Sequence, residues 1–525
     1  MPTWSFPYPS RRAPVFAANA VATSQPLATA AGIEALRRGG NAVDAALAAA
    51  ITLTVVEPNM NGVGSDAFAM VWDGERLHGL NASGRAPAAW DADRFAGRTQ
   101  MPIQGWDTVT VPGAVSAWVA LSERFGALPF EALFAEPIRY AREGFQVGHI
   151  TAGHWRFALE TYAEFEHFLT HFAPDGRAPA PGERFARPDL AATLESIAET
   201  RGEAFYRGPL ADAIADTAAA EGGAMTRGDL AAHTADWVDP IAQDYAGVTV
   251  HEIPPNGQGL AAQIALAILG HVGLAGLPPN GAESVHRQLE AMKIAIRAAF
   301  DHFADPRAMT TPPEALLEPG SIARAARSIG ASASAPAPVA LPVSHDTVTL
   351  TAADAEGRMV SFIQSNYMGF GSGVVIPGTG IAMQNRGNGF SLAPGHPNRV
   401  AGGKRPYHTI IPGFVTENDE PRMSFGFMGG HMQHQGHVQT VHRIFDLGEN
   451  PQAASDAPRW QVLPDYSVAL EAGFAEAVAS DLAARGHRVM AADPAMFGGA
   501  QLILRVSDGY CAASDHRKEG MAAGF

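Results

Sequence analysis

Few side chains in this 525-residue chain stand where they could do covalent chemistry, and the most suggestive is Thr347. It opens an alternating run, Thr347 to Asp354, which the loop Ala355-Glu356-Gly357 joins to a second run, Arg358 to Ser365. Glycine at the end of the loop suits the left-handed residue of a bulged hairpin. If Asp354 pairs with Arg358, partner numbers across the ladder sum to 712 and Thr347 faces Ser365, hydroxyl beside hydroxyl. Alternation puts Val348, Leu350, Ala352, Val360 and Phe362 on an apolar face and Thr347, Thr349, Thr351, Ser361 and Ser365 on the other. The plainer reading of the same pattern is a Thr-rich strand with one solvated face.

Other candidates compete. His431, His434 and His437 in HMQHQGH, with His442 close behind, are spaced so that imidazoles could hold zinc, but no Glu of the H-E-x-x-H kind is near, and Gly429-Gly430 suggests that the run simply begins a helix after a turn. The expectation is no metal and no cofactor. Gly371-Ser372-Gly373 lacks the first glycine of a serine-hydrolase elbow, because Phe370 stands there. Cys511 reads as a small core residue. The turn Asn59 to Asp66 matches neither a Walker loop nor a dinucleotide fingerprint. Residue chemistry by itself leaves Thr347 one candidate among several.

The elements around Thr347 are legible in outline. The stretch Gly330 to Pro342, rich in Ala, Ser and Pro, reads as an exposed linker with nothing to pack. Near the start, Ser24 is expected to cap a helix that Gly39-Gly40 ends, and Asn41 to cap a second, apolar on every face and therefore buried, that Glu57-Pro58 stops. A strand is expected over Ala67 to Trp72, a helix from Glu283 to about Phe303 with Val285, Leu289, Met292 and Ile296 in the core, strands at 407 to 415 and 422 to 428, and a helix at 433 to 446. With 46% hydrophobic and 17% charged residues, the chain can bury a large core. A net charge of -16 repels nucleic acid and anionic lipid. One cysteine, no signal-like segment and no long apolar stretch point to a cytoplasmic enzyme.

Several segments in order, among them NAVDAALAAAITLTVVEPNMNGVGSDAF, VPGAVSAWVAL, DTVTLTAADAEG, GFGSGVVIPGTGIAMQNRG, KRPYHTIIP, MGGHMQHQGH and ASDHRKEG, are similar to the γ-glutamyltranspeptidase family of N-terminal nucleophile hydrolases over nearly the whole chain. The resemblance implies a four-layer αββα fold and a precursor cut between Asp346 and Thr347 into subunits 1–346 and 347–525. It implies that Thr347 attacks, with its freed α-amine as base. Ser365 would orient it, and the N–H groups of Gly429 and Gly430 would form the oxyanion hole.

The departures from the family carry information too. Where glutathione-cleaving members have an Arg for the substrate α-carboxylate, Ser83 stands, and Arg85 follows two residues later. The family's N-N-Q-x-D-D-F reads Gln384-Asn385-Arg386-Gly387-Asn388-Gly389-Phe390, so Arg386 replaces the Gln and Gly389 the Asp that binds the α-ammonium. The serine pair reads His408-Thr409, and the lid loop between Asn398 and Lys404 is largely absent. Arg85, Asn385, Arg386, His408 and Thr409 are thus the expected substrate contacts. The chain resembles the family's side branches that include oxamate amidohydrolase and cephalosporin acylases. The expected activity is hydrolysis of an amide whose small acyl group keeps a carboxylate but lacks an α-ammonium. A γ-glutamyltransferase or glutathione hydrolase, and an inactive binding protein, are the alternatives. A small-molecule amide and the two subunits of one precursor, in a possible homo-oligomer, are the expected partners.

Overall fold

The computed structural model describes residues 11–339, 347–490 and 492–525. Two seven-stranded antiparallel sheets are stacked face to face between helices, a four-layer αββα sandwich. The first sheet runs Met521–Gly524, Ala20–Thr23, Val348–Ala353, Met359–Ser365, Asp66–Trp72, Leu77–Asn81, Asp236–Val238. The second runs Val15–Ala17, Gly509–Ser514, Gly499–Val506, Glu420–Met428, Pro412–Glu417, Val248–Glu252, Ile241–Tyr245.

The expected hairpin is present in the expected register. Val348 pairs with Gln364 and Ala353 with Met359, and Gly357 takes a φ of 91° in the loop. It lies in the middle of its sheet, between Ala20–Thr23 and Asp66–Trp72, so neither face is solvated. Val348, Leu350 and Phe362 pack under the helix Ala42–Val56, while the hydroxyl face is pressed between the sheets, where Ser361 Oγ donates to the Phe425 carbonyl at 2.7 Å. Gly426 makes this approach possible, since a Cβ there would come within 2.0 Å of Thr349 Oγ1. Elsewhere the sheets meet through apolar side chains, among them Phe68, Met70, Ile253, Phe414 and Ile503.

The outer helices follow from their sequences. Asn41 and Asp44 close a capping box on Ala42–Val56, and all fifteen of its residues are buried. The helix Pro26–Arg37 is capped by Gln25, whose side chain accepts from Leu27 N and Ala28 N; Ser24, the expected cap, donates instead to Glu57 Oε2 at 2.5 Å. A carboxylate is the stronger acceptor for that hydroxyl, and Gln25 takes over the helix end. Against the second sheet lie Gly259–Val272 and Met432–Val441, with Ala282–His302 packed on the former. The expected helix at 433 to 446 ends in a π turn, His442–Asp446, and the expected strand at 407 to 415 is regular only from Pro412. Tyr407 to Ile411 form an irregular, buried crossing that carries site residues.

The segment 330–339 differs most from expectation. Most of its side chains are exposed, as its composition requires, but its backbone is bound: Ala333 N to Arg485 O (2.8 Å), Ser334 N to Glu290 Oε2 (3.0 Å) and Val339 N to Pro464 O (2.9 Å). Main-chain donors need no apolar side chains to find partners. Asp346, the expected cleavage position, lies outside the described residues.

Candidate active site

Thr347 is fully buried at the head of the central hairpin, and its Oγ1 donates to Ser365 Oγ at 3.2 Å. Ser365 Oγ in turn accepts from Tyr367 N at 2.8 Å. Tyr367 holds a φ of 82°, rare for a residue with a Cβ, and its ring lies 4.5 Å beneath the guanidinium of Arg386. The hydroxyl pair and the arginine are therefore joined through one residue.

Gly429 and Gly430 follow the strand Glu420–Met428 with φ of 114° and 56°, a left-handed path that glycine takes at little cost. Their carbonyls are turned back into the structure: Gly429 O accepts from Met432 N (2.9 Å), and Gly430 O from Gln433 N (3.2 Å) and Gln258 Nε2 (2.9 Å). Gln433 reaches the other way with Nε2 toward Thr347 Oγ1 at 3.4 Å. One residue, through its backbone N–H and its side-chain amide, thus links the glycine turn and the hydroxyl. Gln258 also donates to Thr409 O at 2.5 Å and accepts from the Tyr407 hydroxyl at 2.9 Å, which locks the turn against the 407–411 crossing.

Arg386 is 1% exposed. Its Nη1 donates to Thr409 Oγ1 at 2.7 Å, and Nε and Nη2 have no partner among the described residues. Those two nitrogens form the edge of a guanidinium that grips a carboxylate with two parallel hydrogen bonds. Burial pulls the Arg386 pKa down to about 10, while the negative charge of Asp66 opposes that fall. Asp66 stands opposite Ser365 in the ladder. Its Oδ1 accepts from Gly84 N and Gly113 N, both at 3.1 Å, and its Oδ2 pairs with His408 Nε2 at 3.0 Å. Burial pushes the Asp66 carboxyl up to about 7 against the pull of Arg386, and it drives His408 well below the usual imidazole range. Because Ile410 N donates to His408 Nδ1, the ring proton sits on Nε2 and points at Asp66.

Not every expected contact joins this group. Arg85 spends its guanidinium on Asp305 (3.1 Å) and Asp236 (3.4 Å) and touches neither hydroxyl nor Arg386. Asn385 is a brace: its side chain accepts from Met368 N and donates to Ile103 O. Thr409 meets Arg386, and His408 meets Asp66. Gly389 leaves no room for a side chain, since a Cβ would lie 2.5 Å from Tyr407 O.

The competing candidates are placed elsewhere. Ser372 donates to Met383 O and pins a turn. Cys511 is buried, and that burial raises its thiol pKa. His437 is bound to Glu252 (2.6 Å), His442 to Asp446 (3.0 Å), and His431 stacks on Tyr407, while both ring nitrogens of His434 have no hydrogen-bond partner among the described residues.

Asp66, Tyr367, Gln258 and Gln433 escaped sequence reasoning. Asp66 ends the Gly62-Val63-Gly64-Ser65 turn and Tyr367 stands two residues beyond Ser365, but neither position signals a role until the sheet ladder and the backbone sign are known.

The fold and this arrangement define an N-terminal nucleophile hydrolase. The gamma-glutamyltranspeptidase family profile matches residues 28–525, and the chain belongs to that family. Cephalosporin acylase from Bacillus halodurans has a similar structure, with a TM-score of 0.96 and 46% identity over 100% of this chain and 99% of that one. The oxamate amidohydrolase proenzyme of Klebsiella pneumoniae is 36% identical over 522 residues, 95% of this chain and 97% of its own. The glutathione hydrolase-like YwrD proenzyme of Bacillus subtilis is 35% identical over 512 residues, with the same coverage. The protein is an enzyme that hydrolyses C–N bonds, and its relatives are proenzymes. No helix among the described residues is long and apolar enough to cross a membrane.

Proposed function

We propose that this chain is a self-processing amidohydrolase that uses Thr347 to cleave amides of small acyl groups bearing a carboxylate. In processing, Thr347 Oγ1 attacks the Asp346 carbonyl carbon, the peptide nitrogen leaves as the new α-amine, and water opens the resulting ester. In turnover the α-amine, with an unperturbed pKa near 8, takes the hydroxyl proton as Oγ1 attacks the substrate carbonyl. The amine product leaves with that proton, and water hydrolyses the acyl-threonine. Ser365 orients Oγ1, the Gly429 and Gly430 N–H groups receive the oxyanion, and Gln258 and Gln433 hold that turn in place. The cytoplasm, where a lone cysteine stays reduced, is the proposed compartment.

The observation that supports the acyl preference is the buried Nε/Nη2 edge of Arg386, joined to Ser365 through Tyr367. A carboxylate-bearing acyl group satisfies that edge. A γ-glutamyl group brings an ammonium beside an arginine, without the aspartate that would hold it. The absent charge-assisted hydrogen bond is worth about 1.5–3 kcal/mol, or roughly one to two decades in kcat/KM. The selective role falls to Arg386, since Arg85 is committed to Asp305 and Asp236.

The test compares an acidic acyl amide without an α-amino group (oxamate or a glutaryl amide), a neutral amide and a γ-glutamyl donor. The acidic amide should be cleaved best. Arg386→Gln should lower its kcat/KM by about a hundredfold, as loss of a buried charge partner does, and should spare the neutral amide. A processed enzyme that prefers glutathione would establish the γ-glutamyl reading that the YwrD relative's name suggests.

A further inference from the structure

The helix Ala282–His302 carries a buried polar group that the reaction does not use. Lys293, Glu290 and His286 lie on it, all but closed to solvent, and His487 meets them from the C-terminal side of Thr347. The ammonium of Lys293 has three donors and three acceptors: Glu290 Oε1 (2.8 Å), the Ser334 carbonyl (3.0 Å) and His487 Nδ1 (3.3 Å). With its Nδ1 accepting, His487 donates from Nε2 to His286 Nδ1 (2.8 Å), and His286 donates from Nε2 to the Gly330 carbonyl (2.8 Å). Glu290 Oε2 accepts from Ser334 N at 3.0 Å. His487 is thereby neutral, in keeping with its pKa, brought down to about 4 by burial and the Lys293 charge. His286, Glu290 and His487 are close enough to suggest a metal site, but each of their nitrogens and oxygens already shares a proton with a named partner.

Every chain of bonds in this group ends on the 330–334 backbone, the part of the strap that leads toward Thr347. Ala333 and Val339 fasten the same strap to Arg485 and Pro464. A lysine is expensive to bury, and here its charge is used to hold a peptide that has few apolar side chains to hold itself.

We propose that Lys293, Glu290, His286 and His487 form a processing clamp: they are positioning residues that fasten residues 330–334 so that the chain enters the Thr347 site from a fixed point. Eighteen residues separate the helix Pro319–Ser328 from Thr347, whereas seven separate Val339 from it. If loss of the clamp also frees Ala333 and Val339, the span to Thr347 grows from seven residues to eighteen, and the three-halves-power rule for loop closure then slows self-cleavage by up to about fourfold. The clamp has no part in turnover once the bond is cut. The proposal rests on the assignment of the cleavage point before Thr347.

The experiment follows the freshly made precursor on denaturing gels and by intact mass, then measures kcat/KM after processing is complete. Ser334→Pro removes the N–H that Glu290 binds and sits in the exposed strap, so folding does not depend on it; Lys293→Met removes the ammonium itself. Both variants should release the 347–525 fragment more slowly, by up to about fourfold, and the matured enzymes should match the native kcat/KM. Cleavage at the native rate overturns the clamp and leaves the Thr347 assignment standing. An equal fall in processing and in mature kcat/KM also overturns it, since the group would then support the fold in general. A native chain that is never cut before Thr347 removes both, and Thr347→Ala, which should stay whole, tells the two failures apart.

Discussion

At the scale of single residues, the site depends on where protons and charges are held. Thr347 Oγ1 has Ser365 on one side and Gln433 on the other, so a substitution at 347 removes the proposed nucleophile and leaves both of those partners in place. Thr347→Ala is expected to give one folded, uncut, inactive chain, and Thr347→Ser a slower but competent one; intact mass and a coupled activity assay check both. If Thr347→Ala still splits before residue 347, the nucleophile lies elsewhere. The hydroxyl pair was legible in the sequence because period two and a Gly-ended loop fix a hairpin register without tertiary information. The hydrogen-bonded pair Asp66–His408 was not, since its partners are 342 residues apart and meet only through stacking of the two sheets. Arg85 and Arg386 looked equivalent as added cations. They are distinguished by Asp236 and Asp305, which neutralise the first and leave the second to the pocket.

At the scale of elements, the short turn Arg386–Gly389 and the crossing Tyr407–Ile411 lie directly against each other and would shape the proposed acyl pocket together. Their contact is so close that the family's ammonium-binding aspartate cannot be restored by one substitution. Gly389→Asp puts a Cβ against Tyr407 O at 2.5 Å, and the backbone must move to admit it. The variant is therefore expected to lose activity toward acidic amides and gain none toward γ-glutamyl donors, with a lowered melting temperature as the mark of strain. A gain of γ-glutamyl turnover would mean that the pocket is softer than its packing suggests. The sequence announced the regular elements well, including the fully buried helix Ala42–Val56, because apolar periodicity and caps are local. It misread the 407–411 crossing as strand and the 330–339 strap as loose. In both, hydrogen bonds to distant loops replace the regular ladder or apolar packing that local patterns report.

At the scale of the molecule, Asp515 ties several elements of the C-terminal half together. It is wholly buried, accepts from Ala500 N, Ser455 Oγ and Arg517 N, and forms ion pairs with Arg459 and Arg517. The Arg459 and Arg517 charges hold its carboxyl far below the usual range, against the opposing effect of burial. A carboxyl depressed on folding contributes stability that is complete above its unfolded pKa, near 3.8, and is lost as pH falls below it. The native protein should therefore lose stability below about pH 4, and Asp515→Asn, less stable at neutral pH, should lose less on the same descent. Denaturant titrations at neutral and acid pH check this; parallel losses in the two proteins would exclude Asp515 from the acid response.

The order of strands carries one more consequence. Each sheet interleaves strands from before Thr347 with strands from after it, so a cut at that point divides the chain but neither sheet. The two pieces could part only by unzipping both layers at once, and dilution does nothing to help them. Once unfolded, however, they would be separate molecules that must meet again, and recovery would depend on concentration where the uncut chain's does not. Self-cleavage would thus make folding a one-way event: the mature enzyme keeps a shape that it can no longer easily regain.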